Sequence, residues 1–392
     1  MRVLSVHNFY RMPGGEDQVC AAETALLRHH GHEVTAYTRD NQTIQGGSRL
    51  TAAAAAVWSR AVYRDVRRLC RAGRFDVCHV HNFFPLVSPS AYYAARRERV
   101  PVVQTLHNYR LLCPAATFFR GGKACESCLG KALPWPAVRH GCYRSDRLAS
   151  GCVAAMIAVH RAAGTWRQAV DLYIALTEFA RRKFIEGGLP EERIVVKPNF
   201  VYPDPGPGAG AGSYALFAGR LSPEKDVRTL IRAAARVGTR LRLKIAGEGP
   251  DRDHLTRMAE GLSHIEFLGR QPRERVLELM KDAAMLVAPS ACFEGFGMVI
   301  AEAFAVGLPV VASRLGTMAE IVDDSRTGLL FRVGDSEDLA AKIEQLLADP
   351  GKRAAMRRQA RAEFEAKYGA EVNYRRLGRI YQLAIERHRG SR

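Results

Sequence analysis

The sequence has no uninterrupted apolar run of about 18 residues or more, although 47% of its 392 residues are hydrophobic. A membrane-spanning helix needs about 20 predominantly apolar residues, so none is predicted. A cleavable leader is not expected either, because the chain opens on Met1-Arg-Val-Leu-Ser-Val6, which already has the pattern of a strand. We therefore expect a cytoplasmic protein.

Signatures of nucleic-acid-binding modules and of short solenoid repeats are also missing. No helix-turn-helix, zinc-finger, RNP or OB pattern occurs, and the basic residues are dispersed. Acidic residues are scarce, with 40 Asp and Glu against 58 Lys and Arg, which gives a net charge of +18. Such a charge attracts polyanions. We expect no nucleic-acid partner, and a basic nucleic-acid-binding protein remains the alternative from another functional class.

The excess of positive charge is concentrated in the first half of the chain. Residues 1–200 hold 28 Lys and Arg against 15 Asp and Glu, whereas residues 201–392 hold 30 against 25. In the segment 58–74, a helix would place along one side the arginines Arg60, Arg64, Arg67, Arg68 and Arg71. Either this face contacts anionic lipid headgroups or a lipid-linked acceptor, peripherally on the inner face of the cell membrane, or it is a solvated helix face.

Two glutamates, Glu294 and Glu302, lie in a segment with the pattern of a parallel sheet. Short apolar runs at 285–289 and 309–313 predict strands, and the stretch 297–306 predicts a helix between them. Glu294 then lies in the loop at the carboxyl end of the first strand, where doubly wound sheets bind ligands. Glu302 lies about two turns into the helix.

The loop that contains Glu294 can bind an anion. Gly295, Phe296 and Gly297 present backbone N–H groups at a helix N-terminus, and glycine lets a phosphate come close to the backbone. With a carboxylate on either side of the anion, the arrangement suits a ligand made of a sugar, a diphosphate and a ribose. The alternative is a surface loop with two solvated glutamates.

A second loop carries two cations. The apolar run 214–219 predicts a strand, and Ser222-Pro-Glu224 predicts the start of a helix. Arg220 and Lys225 then project from a strand–helix turn, where they can neutralise a diphosphate. Considered alone, they would be solvated surface cations.

These segments, in their order and spacing, resemble the retaining glycosyltransferase family 4, or glycosyltransferase group 1. The C-terminal half carries Gly219-Arg-Leu-Ser-Pro-Glu-Lys225, Ile245-Ala-Gly-Glu-Gly-Pro250, Phe267-Leu-Gly269, Glu294-Gly-Phe-Gly297, Glu302 and Gly307-Leu-Pro-Val-Val-Ala-Ser313. The N-terminal half carries Val6-His-Asn-Phe-Tyr10, Gly14-Gly-Glu16, Asp76-Val-Cys-His-Val-His81 and Thr105-Leu-His-Asn108. The resemblance implies an α/β protein of the GT-B fold, in which two Rossmann-like, doubly wound parallel-sheet domains face each other across a cleft.

Chain length and composition are consistent with two domains, because a chain of this size can bury two cores. The Pro- and Gly-rich stretch 201–212 predicts a linker. It separates an N-terminal, acceptor-side Rossmann-like domain, 1–200, from a C-terminal nucleotide-sugar-binding domain, 213–370. The resemblance implies that the last helix, 371–392, returns to the N-terminal domain.

The resemblance also implies roles for particular residues at a site between the two domains. His107 corresponds to the family's active-site histidine, Glu294 would bind hydroxyls of the donor sugar, and Glu302 would bind the ribose. Arg220 and Lys225 would stabilise the departing diphosphate, which makes them catalytic together with His107 and Glu294. Further substrate contacts are expected from Gly14, Gly15, Asn108, Gly219, Gly269, Gly295, Phe296, Gly297 and Met298. The alternative for His107 is an ordinary loop histidine.

The implied function is transfer of a sugar, with retention of its anomeric configuration, from a nucleoside-diphosphate sugar to a glycan, a lipid-linked molecule or a small molecule. Such a reaction fits cell-surface polysaccharide biosynthesis and needs no cofactor for catalysis. A nucleotide-sugar epimerase of the same fold remains an alternative. A glycan phosphorylase would carry a pyridoxal-phosphate lysine signature, which the sequence lacks.

Four of the nine cysteines cluster in an irregular insertion at 113–142, directly after His107. They are Cys113, Cys125, Cys128 and Cys142. The pair Cys125-Glu-Ser-Cys128 has the spacing of a zinc knuckle, and in a cytoplasmic protein a metal is favoured over disulfides. We predict a structural zinc; the alternative is four reduced cysteines without a metal.

Overall fold

The computed structural model of the protein describes residues 1–10, 14–44, 49–209 and 212–390. The chain divides into two compact units. The first unit consists of Met1–Phe118, Glu126–Pro198 and Asn373–Arg392, and the second of Phe119–Cys125 and Asn199–Val372. None of the described helices combines the length and the apolar character that a membrane span requires.

The strands of the described residues are short and mostly buried. In chain order they are β1 (Arg2–Phe9), β2 (Glu33–Asp40), β3 (Val77–Val80), β4 (Val102–Thr105), β5 (Phe119–Arg120), β6 (Lys123–Ala124), β7 (Leu172–Ala175), β8 (Ile194–Val196), β9 (Tyr214–Ala218), β10 (Arg242–Ala246), β11 (Ile265–Gly269), β12 (Met285–Ala288), β13 (Val310–Ser313) and β14 (Gly328–Phe331). The pair β5–β6 is antiparallel, and the other strand pairs are parallel.

Helices connect most of the parallel strands. In chain order they are α1 (Gly15–His29), α2 (Arg49–Val57), α3 (Arg60–Gly73), α4 (Ser90–Arg97), α5 (Trp135–His140), α6 (Arg147–Ala162), α7 (Thr165–Gln168), α8 (Glu178–Glu186), α9 (Val227–Val237), α10 (Arg252–Met258), α11 (Arg273–Asp282), α12 (Met298–Ala305), α13 (Gly316–Ile321), α14 (Ser336–Ala348), α15 (Pro350–Lys367) and α16 (Ala370–Gly390). This alternation is typical of doubly wound α/β domains.

The first unit is built on a six-stranded parallel sheet with the order β2-β1-β3-β4-β7-β8. The last helix, α16, packs on this sheet through Leu377, Ile380, Tyr381 and Ala384, whose spacing places them on one helix face. They join a buried cluster with strand residues Val3, Val77, Val103 and Leu172. Although α16 is the C-terminal helix, it therefore belongs to the core of the first unit.

The second unit is built on another six-stranded parallel sheet, with the order β11-β10-β9-β12-β13-β14. The order reverses between β9 and β12, which are hydrogen-bonded neighbours. Ligands of doubly wound sheets bind at the carboxyl ends of the strands beside such a reversal. The predicted fold class, two Rossmann-like parallel-sheet domains, is confirmed.

The segment around Glu294 has the predicted secondary structure, with β12 over Met285–Ala288, α12 over Met298–Ala305 and β13 over Val310–Ser313. The prediction that a helix begins at Ser222 is wrong. Residues Pro223–Lys225 form a single 3-10 turn, and α9 begins only at Val227. Asp226 lies between them with φ +46°, a left-handed conformation that cannot belong to a continuous helix.

Candidate active site

Glycines allow the loops after β9 and β10 of the second sheet to approach each other closely. A Cβ atom on Gly247 would lie 1.8 Å from the carbonyl oxygen of Gly219, and one on Gly249 would lie 2.1 Å from that of Leu221. The backbones instead form hydrogen bonds, from the Gly219 N–H to Ala246 and from the Leu221 N–H to Glu248. The loop after β10 therefore supports the loop that carries Arg220, which is itself exposed.

The loops after β9 and β12 are joined by an ion pair. The Lys225 ammonium lies 2.6 Å from Oε1 of Glu294, and the Ser290 hydroxyl donates a hydrogen bond of 2.7 Å to the same oxygen. The Ala291 N–H also donates to the carbonyl of Glu224 at 2.9 Å. The structure thus brings together two of the predicted site residues, beside the reversal of strand order in the second sheet.

Burial by itself would raise the pKa of the Glu294 carboxyl, but the Lys225 ammonium outweighs this effect, and the pKa lies below its ordinary value. Burial would likewise lower the pKa of Lys225, whereas Glu294 holds it above the ordinary value. Both groups are consequently charged at neutral pH. The site can offer a cation to a phosphate and a carboxylate to a hydroxyl group.

Glu302 lies in α12, with 7% of its surface exposed. Its Oε1 accepts a hydrogen bond of 2.9 Å from Nε of Arg273, the first residue of α11. Burial raises the pKa of the Glu302 carboxyl, and Arg273 counteracts part of this effect. Arg273 was not among the residues predicted from the sequence, since its contact with Glu302 depends on the packing of α11 against α12.

The predicted anion loop leads directly into α12. Gly297 precedes the helix with φ +78°, a conformation that favours glycine, and Met298 is the first helical residue. Phe296 is buried, and its ring packs edge-on against Tyr368 at 5.8 Å between centroids. Phe296 was predicted to contact substrate, and in the structure its side chain packs inside the second unit. Gly269, with φ +68°, ends β11 in a similar left-handed conformation.

In the first unit, Asp17 holds the start of α1 in place. One carboxylate oxygen of Asp17 accepts the N–H of Gly14 at 2.8 Å, and the other lies 2.7 Å from Nε2 of the buried His7. Helix α1 begins at Gly15. The predicted residues Gly14 and Gly15 are thus held at a helix N-terminus, where anions bind, by His7 and Asp17, which were not predicted as site residues.

Glu16 connects the start of α1 with Asn108. The Asn108 amide donates hydrogen bonds to Oε2 of Glu16 at 3.1 Å and to the Tyr10 hydroxyl at 3.3 Å. Burial raises the pKa of Glu16 to about 7. Glu16 belongs to the motif Gly14-Gly-Glu16, so the sequence contained a signal for it, but only its glycines were assigned.

His107 follows β4 and contacts a chain of buried polar groups. Its Nε2 lies 3.2 Å from Nδ1 of His81. Nε2 of His81 lies 3.4 Å from Glu23, whose carboxylate also contacts the Lys197 ammonium at 3.0 Å. Burial lowers the pKa of His107 to about 3, so its ring is neutral at physiological pH.

A third histidine, His79, completes this cluster. Its ring forms hydrogen bonds of 2.8 Å with the hydroxyls of Tyr381 and Thr105, and its Nδ1 lies 3.0 Å from Glu23. His79 lies in β3 and His81 directly follows the last residue of that strand, so the two histidines lie on the same side of the chain, with 4.2 Å between their ring centroids. That spacing was the sequence signal for a polar layer under His107, although it was not interpreted in this way.

The four clustered cysteines differ in exposure. Cys113 and Cys128 are buried, whereas Cys125 and Cys142 are partly exposed. Among the described residues, three potential metal-ligand atoms approach within 4.8 Å of one another in a single group, formed by Glu23, His79 and His81. The cysteine sulfurs are not gathered in this way, and the zinc site remains a prediction.

Two family models match the chain, one in each half. The glycosyl transferase 4-like domain matches residues 14–199, and glycosyl transferases group 1 match residues 209–363. The first match includes His107 and the turn at Gly14, and the second includes Lys225, Glu294 and Glu302. Both groups of candidate site residues therefore lie in the matched regions.

Individual glycosyltransferases are also similar to this chain. An uncharacterized glycosyltransferase of Methanocaldococcus jannaschii is 33% identical over 43% of this chain, and the match spans only about half of that relative, 48%. A phosphatidyl-myo-inositol mannosyltransferase of Mycolicibacterium smegmatis is 25% identical over 95% of this chain and 91% of its own length.

Among solved structures, HepE of Anabaena in complex with UDP has a TM-score of 0.69 and 20% identity, over 97% of this chain and all of HepE. The complex of HepE with UDP-glucose has a TM-score of 0.67 and 21% identity, over 96% of this chain and 98% of HepE. This likeness concerns the fold. Since the two family models together match nearly the whole chain, the protein belongs to the group 1 glycosyltransferases of the GT-B fold.

Proposed function

We propose that the protein transfers a sugar from a nucleoside-diphosphate sugar to a hydroxyl group of an acceptor, with retention of the anomeric configuration. The observation that carries this proposal is the ion pair between Lys225 and Glu294, beside the strand reversal of the second sheet. Its cation suits a diphosphate, and its carboxylate suits the hydroxyls of the attached sugar. The names of relatives and structures support the same substrate class, since they include a mannosyltransferase and a complex with UDP-glucose.

In the proposed reaction, the acceptor oxygen forms a bond to the anomeric carbon as the bond from that carbon to the diphosphate breaks. Negative charge then accumulates on the departing diphosphate. Lys225, Arg220 and the N-terminus of α12 stabilise this charge, so we propose no metal ion for the catalytic step. The diphosphate takes the proton of the acceptor hydroxyl on the same face of the sugar. NMR of the product tests this part, because the inverted anomer would contradict it.

Nucleotide binding tests the donor assignment. Thermal unfolding is measured for the full chain with UDP, GDP, ADP and dTDP, and with the corresponding nucleosides. At a concentration of about 100 Kd, a bound nucleotide stabilises the native state by about 2.7 kcal/mol. We expect at least one diphosphate to raise Tm by several degrees and its nucleoside to have little effect. If no diphosphate stabilises the protein, the donor assignment is wrong.

We further propose that the acceptor is presented at an anionic surface, as in cell-surface polysaccharide biosynthesis with a lipid-linked acceptor. Helix α3 supports this proposal. Its buried side consists of Val62, Val66 and Cys70, whereas Arg60 and Arg64 are exposed. Because the apolar side of α3 is buried within the first unit, attraction to a membrane would be electrostatic and peripheral.

A further inference from the structure

Glu23 is a buried acidic residue of helix α1, with 1% of its surface exposed. Burial alone would raise the pKa of its carboxyl, but Lys197 and His79 outweigh burial and hold the pKa well below its ordinary value. The Lys197 ammonium lies 3.0 Å from Oε2 and is itself 1% exposed. An ionised carboxylate can only accept hydrogen bonds. Glu23 is therefore a fixed negative charge inside the first unit.

His81 faces this charge with its Nε2, which lies 3.4 Å from Oε1 of Glu23. A nitrogen lone pair in that position would be repelled by the carboxylate, whereas an N–H is attracted to it. Burial lowers the pKa of His81 well below its ordinary value, so the ring carries only one proton. That proton is then on Nε2, and Nδ1 of His81 carries a lone pair.

The lone pair on Nδ1 of His81 determines which ring nitrogen of His107 carries the proton. Nδ1 of His81 lies 3.2 Å from Nε2 of His107, so His107 must donate the hydrogen bond. Because His107 is also neutral, its own Nδ1 is left as an acceptor. Among the described residues, this Nδ1 has no hydrogen-bond partner although it is buried. His107 lines a small cavity together with Tyr10 and Asn108.

Two features argue against a metal ion bound by Glu23, His79 and His81. The Lys197 ammonium already supplies the positive charge next to Glu23. Both ring nitrogens of His79 are engaged with the Tyr381 and Thr105 hydroxyls. We therefore interpret the cluster as a buried polar network that extends through His81 to His107.

We propose that Glu23, acting through His81, holds His107 in the tautomer that carries its proton on Nε2 and offers Nδ1 as a hydrogen-bond acceptor to a substrate hydroxyl. Glu23 and His81 are positioning residues, and His107 is the residue that contacts substrate. A buried acceptor without a partner is destabilising, and a donating substrate hydroxyl would satisfy it. The assignment of the hydroxyl to a substrate rests on the proposed function, whereas the tautomer does not.

The tautomer is measured directly by NMR of the full chain with ring-labelled ¹⁵N-histidine. His107 is assigned from the signals that disappear in His107→Gln. His160 serves as an internal reference, because its Nε2 lies 2.7 Å from the Val57 carbonyl, which requires an N–H at that nitrogen. We expect His107 to show the Nε2–H pattern at pH 7. A predominant Nδ1–H signal would overturn the proposal.

The double variant Glu23→Gln with Lys197→Met tests the origin of the tautomer without leaving one buried charge unpaired. A glutamine no longer repels a lone pair on Nε2 of His81, and its amide can donate to that nitrogen, which would reverse the hydrogen bond between His81 and His107. We expect a new Nδ1–H signal for His107, no change at His160, and sugar transfer at least tenfold slower with unchanged nucleotide Kd. An unchanged His107 signal would contradict the role of Glu23.

If the double variant does not fold, His81→Asn replaces it, because an amide at this position no longer fixes one direction of hydrogen bonding. His107 should then show a mixture of tautomers, and a single Nε2–H pattern would contradict the relay. The two proposals also fail in different ways. The expected NMR pattern without any sugar transfer would contradict the proposed function and leave the tautomer established.

Discussion

The Lys225 ammonium lies 2.6 Å from Oε1 of Glu294, so an ion pair connects the loops that follow two neighbouring strands of the second sheet. Removal of either partner leaves the other charge without its counter-ion and, in the proposed reaction, removes one contact to the donor. We expect Lys225→Met and Glu294→Gln each to slow sugar transfer by at least tenfold, because loss of a preorganised donor in an anion site costs about 2.7–4 kcal/mol.

Steady-state kinetics check this prediction, with circular dichroism as the test of an intact fold. Lys367→Met is the matched control, because Lys367 also pairs with a glutamate, Glu363, at 2.5 Å, and the Lys367 side chain is 51% exposed. The control variant should retain wild-type turnover. Wild-type turnover in both Lys225→Met and Glu294→Gln would mean that the anion site has been assigned to the wrong loops.

The carboxyl of Glu16 should make stability depend on pH. Its pKa is about 7 in the folded protein and 4.5 when unperturbed, so the native state binds more protons between these values. The free energy of unfolding therefore falls as pH rises from about 4.5 to 7. Glu16→Gln removes this loss. The variant should gain at most about 3.4 kcal/mol over wild type well above pH 7, and little below pH 4.5.

Urea denaturation of both proteins at pH 5 and pH 8 measures this difference. Glu33→Gln is the control, because the Glu33 side chain is 74% exposed and its effect should be small at both values. A difference between Glu16→Gln and wild type that stays constant from pH 5 to pH 8 would show that the Glu16 carboxyl titrates normally.

Helix α3 should bind anionic vesicles through its exposed arginines. We expect the triple variant Arg60→Gln, Arg64→Gln and Arg68→Gln to bind vesicles of phosphatidylglycerol about 100-fold more weakly, at about 1 kcal/mol per basic residue. Arg67 and Arg71 are left in place because both pair with Glu98. Co-sedimentation at low salt measures the effect, which should fade as salt is added.

The control for the vesicle experiment carries the same change in net charge on the second unit. It replaces Arg236, Arg240 and Arg332, whose side chains are 52%, 68% and 74% exposed. Equal losses in the two triple variants would show that binding follows net charge alone. Wild-type protein that fails to sediment with these vesicles would contradict a membrane role for α3.

The cysteine cluster gives a prediction about metal content. Protein purified without chelators should contain about one zinc per chain, and the variant Cys125→Ser with Cys128→Ser should lose it, because thiolates are the preferred ligands of structural zinc. Elemental analysis measures the ratio, and Cys292→Ser, a buried cysteine of the second unit, is the control. Zinc well below one equivalent in wild-type protein would favour four reduced cysteines without a metal.

Secondary structure that depends on neighbouring residues in the sequence could be predicted. The segment around Glu294 is an example, because a strand, a loop and a helix follow each other and each has its own local residue pattern. The start of α9 was not predicted correctly. Ser222, which resembled a helix cap, donates its hydroxyl hydrogen bond to Glu224, and the left-handed Asp226 delays the helix.

The partners of the site residues could not be derived from local pattern. Lys197 contacts Glu23 across 174 positions of sequence, and Arg273 contacts Glu302 across 29. Such pairs depend on the order of strands in each sheet and on how helices pack against them. Composition and periodicity identify which residues are polar and buried, but only the three-dimensional arrangement shows which charge each one meets.

Consumption of a nucleotide-sugar donor is the direct test of the proposed sugar transfer. The full chain is incubated with labelled UDP-, GDP-, ADP- and dTDP-sugars, with and without lipid and glycan acceptor fractions, and both the free nucleotide and the labelled products are quantified. We predict that one donor releases its diphosphate as an equal amount of sugar appears in an acceptor, and that Glu294→Gln lowers this transfer at least tenfold. Isomerisation of the donor without an acceptor, or no consumption of any donor, would contradict it.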